Sequence, residues 1–229
     1  MSTSRWILGG GLLVLLIAGC TGSRTVSQTK KSTLETPGTA TLSDIQQVSG
    51  TDHQPYLVRL ETSKGTVVIE VHPEWAPRGA KRFRELVELG YYDDCRFFRV
   101  IEGFMAQVGI NGDPAVNAQW SKKKFRDDPV IQSNKPGFVT FATSGPDTRT
   151  TQLFFNIGQN SKLDRQGFAP FGKVIEGQEF IEELYNRYGE QPDQSRIERK
   201  GNAYLQSEFP KLDHIIRATV EENSGVVHQ

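Results

Sequence analysis

The sequence predicts a mainly β protein, built on an antiparallel sheet or barrel with two α-helices. Short runs rich in β-branched and aromatic residues follow one another between residues 56 and 220. Only two segments in this part of the chain carry the apolar spacing of an amphipathic helix. Because the strands do not alternate regularly with helices, the order favours antiparallel pairing over parallel βαβ units.

The predicted strands begin with a hairpin. Residues 56–62 and 66–72 form two β-branched runs around the short turn Ser63-Lys64-Gly65. In the second run Val67, Ile69 and Val71 alternate with the positions 68, 70 and 72, which are Val, Glu and His, and this predicts one buried face. The remaining strands are predicted at residues 95–101, 104–109, 137–143, 151–157, 171–175 and 213–220.

Two helices are predicted from their start signals, stop signals and apolar spacing. Pro77 begins a segment that ends at Gly90 and has apolar residues at i, i+3 and i+4: Phe83, Leu86 and Val87. The second helix is predicted over residues 179–187, on an apolar stripe that includes Phe180, Ile181, Leu184 and Tyr185. Residues 186–211 contain segments that look ordered, but the sequence alone offers no functional account of them.

Composition excludes two classes of function. The chain has 229 residues, enough for one domain with extensions or two small domains. Lys+Arg and Asp+Glu are both 27, so the excess positive charge expected of a general nucleic-acid binder is missing. The histidines lack the spacing typical of metal ligands, and we expect no metal or other cofactor; they are His53, His72, His214 and His228.

The first 20 residues have the layout of a secretory signal. Arg5 precedes an apolar run over residues 7–18, which is too short for the roughly 20 residues that span a bilayer. A transmembrane anchor is the alternative interpretation. The sequence Ile17-Ala18-Gly19-Cys20 resembles the lipobox of bacterial lipoproteins, which implies cleavage before Cys20 and lipidation of its thiol. An unmodified Cys20 behind an ordinary signal peptide remains the other possibility.

These features predict four parts of the chain. Residues 1–19 are a signal peptide, and residues 20–53 are a lipidated, disordered tether poor in large apolar side chains. Residues 54–221 form the globular domain, and residues 222–229 are a tail. Cys95 is expected to be a half-buried structural thiol, while two acidic pairs are expected on loop surfaces: Asp93-Asp94 and Asp127-Asp128.

Three sequence blocks carry a family resemblance. Residues 97–107 read FFRVIEGFMAQ, residues 137–146 read GFVTFATSGP and are followed by TQLFF at 151–155, and residues 168–174 read FAPFGKV. In this order and spacing the blocks resemble cyclophilin-type peptidyl-prolyl cis–trans isomerases over about residues 55–221. The resemblance implies a closed antiparallel β-barrel capped by two α-helices, and an enzyme that accelerates rotation about X–Pro bonds.

The resemblance also implies which residues form the site. Arg99, Phe104 and Gln107 match the catalytic positions of the family. The substrate-binding positions are matched by Met105, Ala142, Thr143, Gln152, Phe154, Leu163 and Phe168. Amide resonance gives the X–Pro bond a barrier of about 18–20 kcal/mol, and rotation breaks no bond, so neither nucleophile nor metal is required. A guanidinium at position 99 is suited to donating a hydrogen bond to the prolyl nitrogen in the twisted state.

The rim of the matched site departs from the best-known family pattern. Thr143 replaces an asparagine, Phe168 stands where many relatives have histidine, and the loop 163–168 is one residue longer. Lys162 falls where cyclosporin-sensitive relatives have tryptophan, which implies weak cyclosporin affinity. A position such as Thr143 that acts through its backbone should tolerate the change.

The leading hypothesis is a catalytic isomerase that acts on proline-containing polypeptides during folding of exported proteins. We expect a monomer anchored to the membrane of the bacterial cell envelope through Cys20, facing the periplasm. A non-catalytic proline-peptide-binding module or envelope scaffold is the alternative, and a purely structural lipoprotein is a third. Arg99 and the pocket aromatics Phe104 and Phe154 favour catalysis, since degenerate relatives tend to lose them.

Overall fold

A computed structural model describes residues 54–221, and the predictions for residues 1–53, including Cys20, and for 222–229 lie outside that range. Within it, all eight predicted strands are present, most of them shorter than predicted. They are β1 (Tyr56–Thr62), β2 (Thr66–Val71), β3 (Arg99–Ile101), β4 (Met105–Val108), β5 (Phe138–Phe141), β6 (Leu153–Asn156), β7 (Pro170–Glu176) and β8 (Ile215–Glu221). The helices are α1 (Pro77–Glu88), α2 (Pro114–Trp120), α3 (Gln178–Glu182) and α4 (Gln194–Glu208), with a 3₁₀ turn at Ser161–Gln166.

The strands form one antiparallel sheet in the order β3-β4-β6-β5-β7-β2-β1-β8. An isolated antiparallel bridge between Arg96 and His214 connects the residues before β3 with those before β8. There Phe97 N–H donates to the Asp213 carbonyl, and Ile215 N–H donates to the Cys95 carbonyl, each at 2.9 Å. The two edges of the sheet therefore meet, and the predicted antiparallel barrel is confirmed with a short closing seam.

Helix α1 packs on the aromatic core of the barrel. The ring centroid of Phe83 lies 5.0 Å from that of Phe171, which lies 5.0 Å from Phe141. At the first turn of α1, the Asp128 carboxylate accepts hydrogen bonds from the backbone N–H groups of Arg78 (3.2 Å) and Gly79 (2.8 Å). Asp128 is buried by this role, so its predicted place on a loop surface is wrong.

The predicted second helix is shorter than expected, and two further helices were not predicted. Helix α3 ends at Glu182, after which the chain turns and Tyr185 N–H donates to Asp213 Oδ2 at 2.8 Å. Helices α2 and α4 begin at capping aspartates, Asp113 and Asp193, whose side chains accept backbone N–H groups. None of the helices within residues 54–221 is long and apolar enough to cross a membrane.

Helix α4 contributes to a small second hydrophobic core, in which side chains of the segment 186–211 take part. Phe98, next to Arg99, packs there with Ile110 and with side chains of that segment and the residues after it: Ile197, Tyr204, Leu205, Phe209 and Leu212. Asn202 N–H donates to the Gly112 carbonyl at 2.9 Å, which fixes α4 beside α2. The segment that had no functional account from its sequence is thus an ordered layer beside strand β3.

Cys95 lies deeper than predicted. The side chain is fully buried rather than half-buried, and its thiol donates to the Tyr91 carbonyl at 3.4 Å. Burial, with Asp94 and Asp93 nearby, raises the pKa of this thiol well above its usual range. Cys95 is therefore a structural thiol with little thiolate character.

Candidate active site

A groove of about 610 Å³ opens on the outside of the barrel over strands β3, β4 and β6. The ten predicted site residues of the domain all line it: Arg99, Phe104, Met105, Gln107, Ala142, Thr143, Gln152, Phe154, Leu163 and Phe168. The structure thus brings together residues from four separate stretches of the sequence. Cys20, the predicted lipidation site, lies outside the described residues.

Strand register places the polar centre of the groove. In the β3–β4 hairpin Arg99 stands opposite Gln107, and in the β4–β6 pair Gln107 stands opposite Phe154. Opposed residues on neighbouring antiparallel strands project from the same face at contact distance. Arg99, Gln107 and Phe154 therefore form a row across three strands.

A chain of side-chain hydrogen bonds runs along this row. Arg99 Nη1 donates to Gln107 Oε1 at 3.2 Å, and Gln107 Nε2 donates to Gln152 Oε1 at 2.8 Å. The same Nη1 lies 3.9 Å from the sulfur of Met105, and the guanidinium lies 5.9 Å from the centre of the Phe104 ring. The two glutamines therefore hold the guanidinium against the apolar part of the groove.

The apolar part is a compact cluster separate from the barrel core. Met105, Phe154 and Leu163 are its buried members, at 2%, 5% and 8% exposure. Phe104, Phe168, Ala142 and Ile101 pack around them and remain partly exposed. The rings of Phe154 and Phe168 meet edge to face at 5.7 Å, a preferred geometry for aromatic pairs. The cluster forms an apolar wall beside Arg99 that a small ring can contact.

A partly buried polar network, which no sequence motif predicted, lies next to this wall. Asp164, next to Leu163, accepts hydrogen bonds from Ser133 Oγ (2.6 Å), Asn134 N (2.9 Å) and Asn134 Nδ2 (2.8 Å). Asn134 is fully buried and also donates to the Phe168 carbonyl at 2.9 Å. A single sequence carries no signal for this role, since asparagine in a polar loop is ordinarily a surface residue.

Hydrogen bonding sets the pKa of Asp164. Burial acts to raise the pKa of this carboxyl, but the hydrogen bonds from Ser133 and Asn134 and the charge of Lys135 outweigh it. The net result is a pKa below the usual aspartate value. The carboxylate is therefore ionised at neutral pH and fixes the 3₁₀ turn that carries Leu163.

Ala142 and Thr143 occupy the far side of the groove. Ala142 N–H donates to the Gln152 carbonyl at 2.9 Å, so the protein itself uses this donor. The Thr143 hydroxyl accepts the Gly145 N–H at 3.1 Å and also contacts the Gly145 carbonyl, which ties it into its own turn. A substrate strand that pairs here would have to use other main-chain groups than the Ala142 N–H.

The segment 186–211 contributes a charged residue that no sequence motif identified. Glu190 Oε1 accepts a hydrogen bond from Arg99 Nε at 2.7 Å and forms an ion pair with Arg99 Nη2 at 2.5 Å. Helix α4 adds further polar side chains to the groove wall: Gln194, Ser195 and Glu198. Only the position of Glu190 in a turn with Gly189 indicated order, and nothing in the sequence linked it to residue 99.

The rim carries another positive charge close to Phe104. Lys162 Nζ lies 5.6 Å from the centre of the Phe104 ring, within the range of a cation–π contact. Among the described residues, no group of three or more His, Cys, Asp or Glu side chains is placed to hold a metal ion. Beside the apolar wall the groove therefore holds the guanidinium of Arg99, positioned by the amides of Gln107 and Gln152.

Known proteins match the chain in both sequence and fold. The model of the family "Cyclophilin type peptidyl-prolyl cis-trans isomerase/CLD" matches residues 57–204. Human peptidyl-prolyl cis-trans isomerase-like 3 is 38% identical over 134 residues, which cover 56% of this chain and 80% of that protein. Mouse peptidyl-prolyl cis-trans isomerase-like 1 is 36% identical over 127 residues, 54% of this chain and 76% of that protein.

Solved structures share the fold. A cyclophilin-type peptidyl-prolyl cis-trans isomerase of Cryptosporidium parvum has a TM-score of 0.55 at 23% identity, covering 74% of this chain and 99% of that one. A cyclophilin from Hirschia baltica has a TM-score of 0.51 at 23% identity, covering 79% and 80%. With the family match over more than half of the sequence, the chain belongs to the cyclophilin-type peptidyl-prolyl cis–trans isomerases and is an enzyme of that class.

Proposed function

We propose that the enzyme lowers the X–Pro rotation barrier by a hydrogen bond from Arg99 to the prolyl nitrogen, with the proline ring held against the apolar wall. The observation that carries this proposal is the position of Arg99 Nη1. It lies 3.9 Å from Met105 Sδ, at the edge of the cluster formed with Phe154 and Leu163. A ring seated on that wall would bring its nitrogen close to a permanently charged donor.

The proposed hydrogen bond acts on the transition state more than on the ground state. In a planar amide the nitrogen lone pair is delocalised into the carbonyl, and it becomes an acceptor only as the bond twists. A donor aimed at that nitrogen therefore binds the twisted state selectively, and each 1.36 kcal/mol gained gives about a tenfold rate increase. Uncatalysed rotation takes tens to hundreds of seconds, so a modest stabilisation has a large effect on folding.

The other groove residues support this role by position and shape. Gln107 and Gln152 hold Nη1 in place, so the guanidinium does not have to be ordered when substrate binds. Phe104 and Phe154 offer rigid faces to the ring, while Met105 adapts to its outline. We assign Phe104 and Gln107 to the catalytic group with Arg99 on this basis.

An exchange assay on an X–Pro peptide, by NMR or by protease coupling, tests the proposal with Arg99→Ala. We expect kcat/KM to fall by about 100-fold, as for removal of one transition-state donor elsewhere. Arg217→Ala is the matched control, because Arg217 pairs with Glu61 on the surface and does not line the groove. Undiminished catalysis in Arg99→Ala would refute the mechanism, and peptide binding without any wild-type turnover would favour the proline-binding module.

We further propose that the enzyme acts on exported proteins as a lipid-anchored monomer. Support comes from the sequence Ile17-Ala18-Gly19-Cys20 behind a short apolar run and from the polar composition of residues 21–53. Expression of the full chain in a bacterium, followed by membrane fractionation and intact mass, compares wild type with Cys20→Ser. We expect the wild type to carry a diacylglyceryl mass in the membrane fraction and Cys20→Ser to lose it. An unmodified wild-type Cys20 would contradict the anchor.

A further inference from the structure

We propose that Glu190 is a positioning residue for Arg99, holding the outer edge of the guanidinium so that Nη1 faces the apolar wall. This inference rests on the proposed role of Arg99 in catalysis. It assigns a function within the reaction to the segment 186–211.

The two sides of the guanidinium have different partners: Nε and Nη2 contact Glu190, and Nη1 faces the apolar wall. One carboxylate oxygen of Glu190 bridges Nε and Nη2, at 2.7 and 2.5 Å. On the opposite side Nη1 donates to Gln107 Oε1 at 3.2 Å and to Met105 Sδ at 3.9 Å. With its Nε–Nη2 edge and its Nη1 both engaged, the planar group is fixed in one orientation. Nη1 donates to Gln107 and to the weak acceptor Met105 Sδ, and the donor on the Met105 side is the one that a prolyl nitrogen would take.

Glu190 is held in place by its own turn rather than by the ion pair alone. Gly189 N–H donates to the Asn186 carbonyl at 3.0 Å, and Gln191 N–H donates to the Tyr188 carbonyl at 2.9 Å. Gly189 has a φ of +52°, a conformation that glycine adopts without strain. The turn therefore presents the carboxylate to Arg99 before any substrate arrives.

The second core anchors this turn beside the active site. The ring of Tyr188 meets Phe209 edge to face at 5.1 Å and lies 4.9 Å from Tyr185. Tyr188 packs on the buried cluster that contains Phe98, the neighbour of Arg99 on the approach to strand β3. Glu190 and Arg99 are thus both adjacent in sequence to residues of the same hydrophobic core.

An isolated surface ion pair contributes little to stability, because ordering two long side chains offsets its Coulomb energy. Arg99 and Glu190 have side-chain exposures of 27% and 64%, so their pair belongs to this class in stability terms. Its effect is on orientation, since an arginine ordered in advance loses less freedom when it donates to the twisted state of the substrate. The target of Arg99 is a neutral amide nitrogen, so direction of the donor matters more than the net charge that the carboxylate partly cancels.

The test compares wild type, Glu190→Ala and Glu190→Gln in the X–Pro exchange assay. We expect kcat to fall about 3- to 10-fold in Glu190→Ala with little change in KM, from ordering one rotamer-rich side chain. Glutamine keeps an amide oxygen that can accept from Nε and Nη2, so Glu190→Gln should return to within about 2-fold of wild type. Glu208→Ala removes a comparable exposed pair with Arg196 in the same segment and should leave kcat unchanged.

A second measurement does not depend on turnover. The ¹⁵N–¹H signal of Arg99 Nε, assigned by its loss in Arg99→Lys, should be sharp in wild type and should shift and broaden in Glu190→Ala. If the wild type has no turnover, the proposed function fails, while this signal still tests whether Glu190 orders the Arg99 side chain.

Several results in the Glu190 variants would overturn the inference. They are an unchanged Nε signal in Glu190→Ala, an unchanged kcat, a kcat that rises because the carboxylate competes with substrate, or an equal loss in Glu190→Gln. A loss of the same size in Glu208→Ala would likewise show an effect of the segment as a whole.

Discussion

The carboxylate of Asp164 supplies a sharp test of how the groove is supported. It accepts three hydrogen bonds of 2.6–2.9 Å from Ser133 and Asn134, and it lies next to Leu163 on the 3₁₀ turn. Asp164→Asn keeps the shape of the side chain and removes the charge. The amide oxygen can still accept both hydrogen bonds from Asn134, and the new NH2 group can donate to Ser133 Oγ in place of the bond that Oδ2 accepted. The main loss is therefore the charge of these three contacts.

The magnitude follows from the number of bonds. A hydrogen bond to a charged group contributes about 1.5–3 kcal/mol and a neutral one about 0.5–1.5, a difference of roughly 1 kcal/mol per bond. Three bonds give an upper value of about 3 kcal/mol, which partial exposure of Asp164 reduces to about 1–2 kcal/mol. For a domain of this size the melting temperature should fall by roughly 3–6 °C.

The pH dependence identifies the cause. Because the folded-state pKa of Asp164 is lowered, its contribution is fully present above the unfolded-state pKa of about 4 and disappears as pH falls through the folded-state value. The amide introduced by Asp164→Asn does not titrate, so the difference in unfolding free energy between wild type and the variant should shrink between pH 5 and pH 2.

Urea denaturation at four or five pH values in this range measures the difference. Glu179→Gln is the control, an exposed carboxylate in the first turn of α3, and should change the unfolding free energy by less than about 0.5 kcal/mol. A difference between wild type and Asp164→Asn that stays constant from pH 7 to pH 2 would refute the reasoning, because a steric effect alone does not titrate.

Three further predictions concern the frame and rim of the site. A Cβ on Gly158 would overlap the Gly103 carbonyl oxygen, so Gly158→Ala should cost more than about 3 kcal/mol in chemical denaturation. Gly103→Ala meets no atom within 4 Å but has a φ of +65°, and should cost only about 1–2 kcal/mol; equal losses would contradict this interpretation. Because Cys95 is fully buried, it should react with a thiol reagent only at the rate of unfolding. Rapid labelling of the folded domain would show that the thiol is accessible to solvent. Cyclosporin should inhibit weakly because Lys162 stands at the rim, and tight inhibition would show that this rim was aligned incorrectly.

Local sequence patterns are sufficient to predict the strands and the pairing of residues at the centre of the candidate site. Arg99 and Gln107 are eight residues apart on a tight hairpin, so the period of the strands and the turn between them are enough to place them opposite each other. The same alternation predicted the buried face of β2, where Val67, Ile69 and Val71 are fully buried. The helix that begins at Pro77 could also be predicted from local sequence, since it has both an N-terminal proline and an apolar stripe of three residues.

Other features depended on contacts that no local pattern encodes. The end of the second predicted helix at Glu182 follows from Asp213, which captures the Tyr185 N–H from 28 residues away. Helix α4 is kinked at Gly201, which has a φ of +56° and approaches the Gly112 carbonyl too closely for any side chain. In sequence this glycine weakens the helical signal, while in the fold it permits the packing of α4 on α2.

From the sequence alone, strand periodicity predicted the strands, because it depends on neighbouring residues, and the family resemblance of three motif blocks predicted the class of this protein and the residues of the groove. Tertiary structure decided what surrounds Arg99. Glu190 lies 91 positions away in sequence and reaches the guanidinium only because the second core docks against Phe98. Asn134 and Asp164 meet behind Leu163 for the same reason. Such contacts form only when all the elements have packed together, so no single segment of the sequence predicts them.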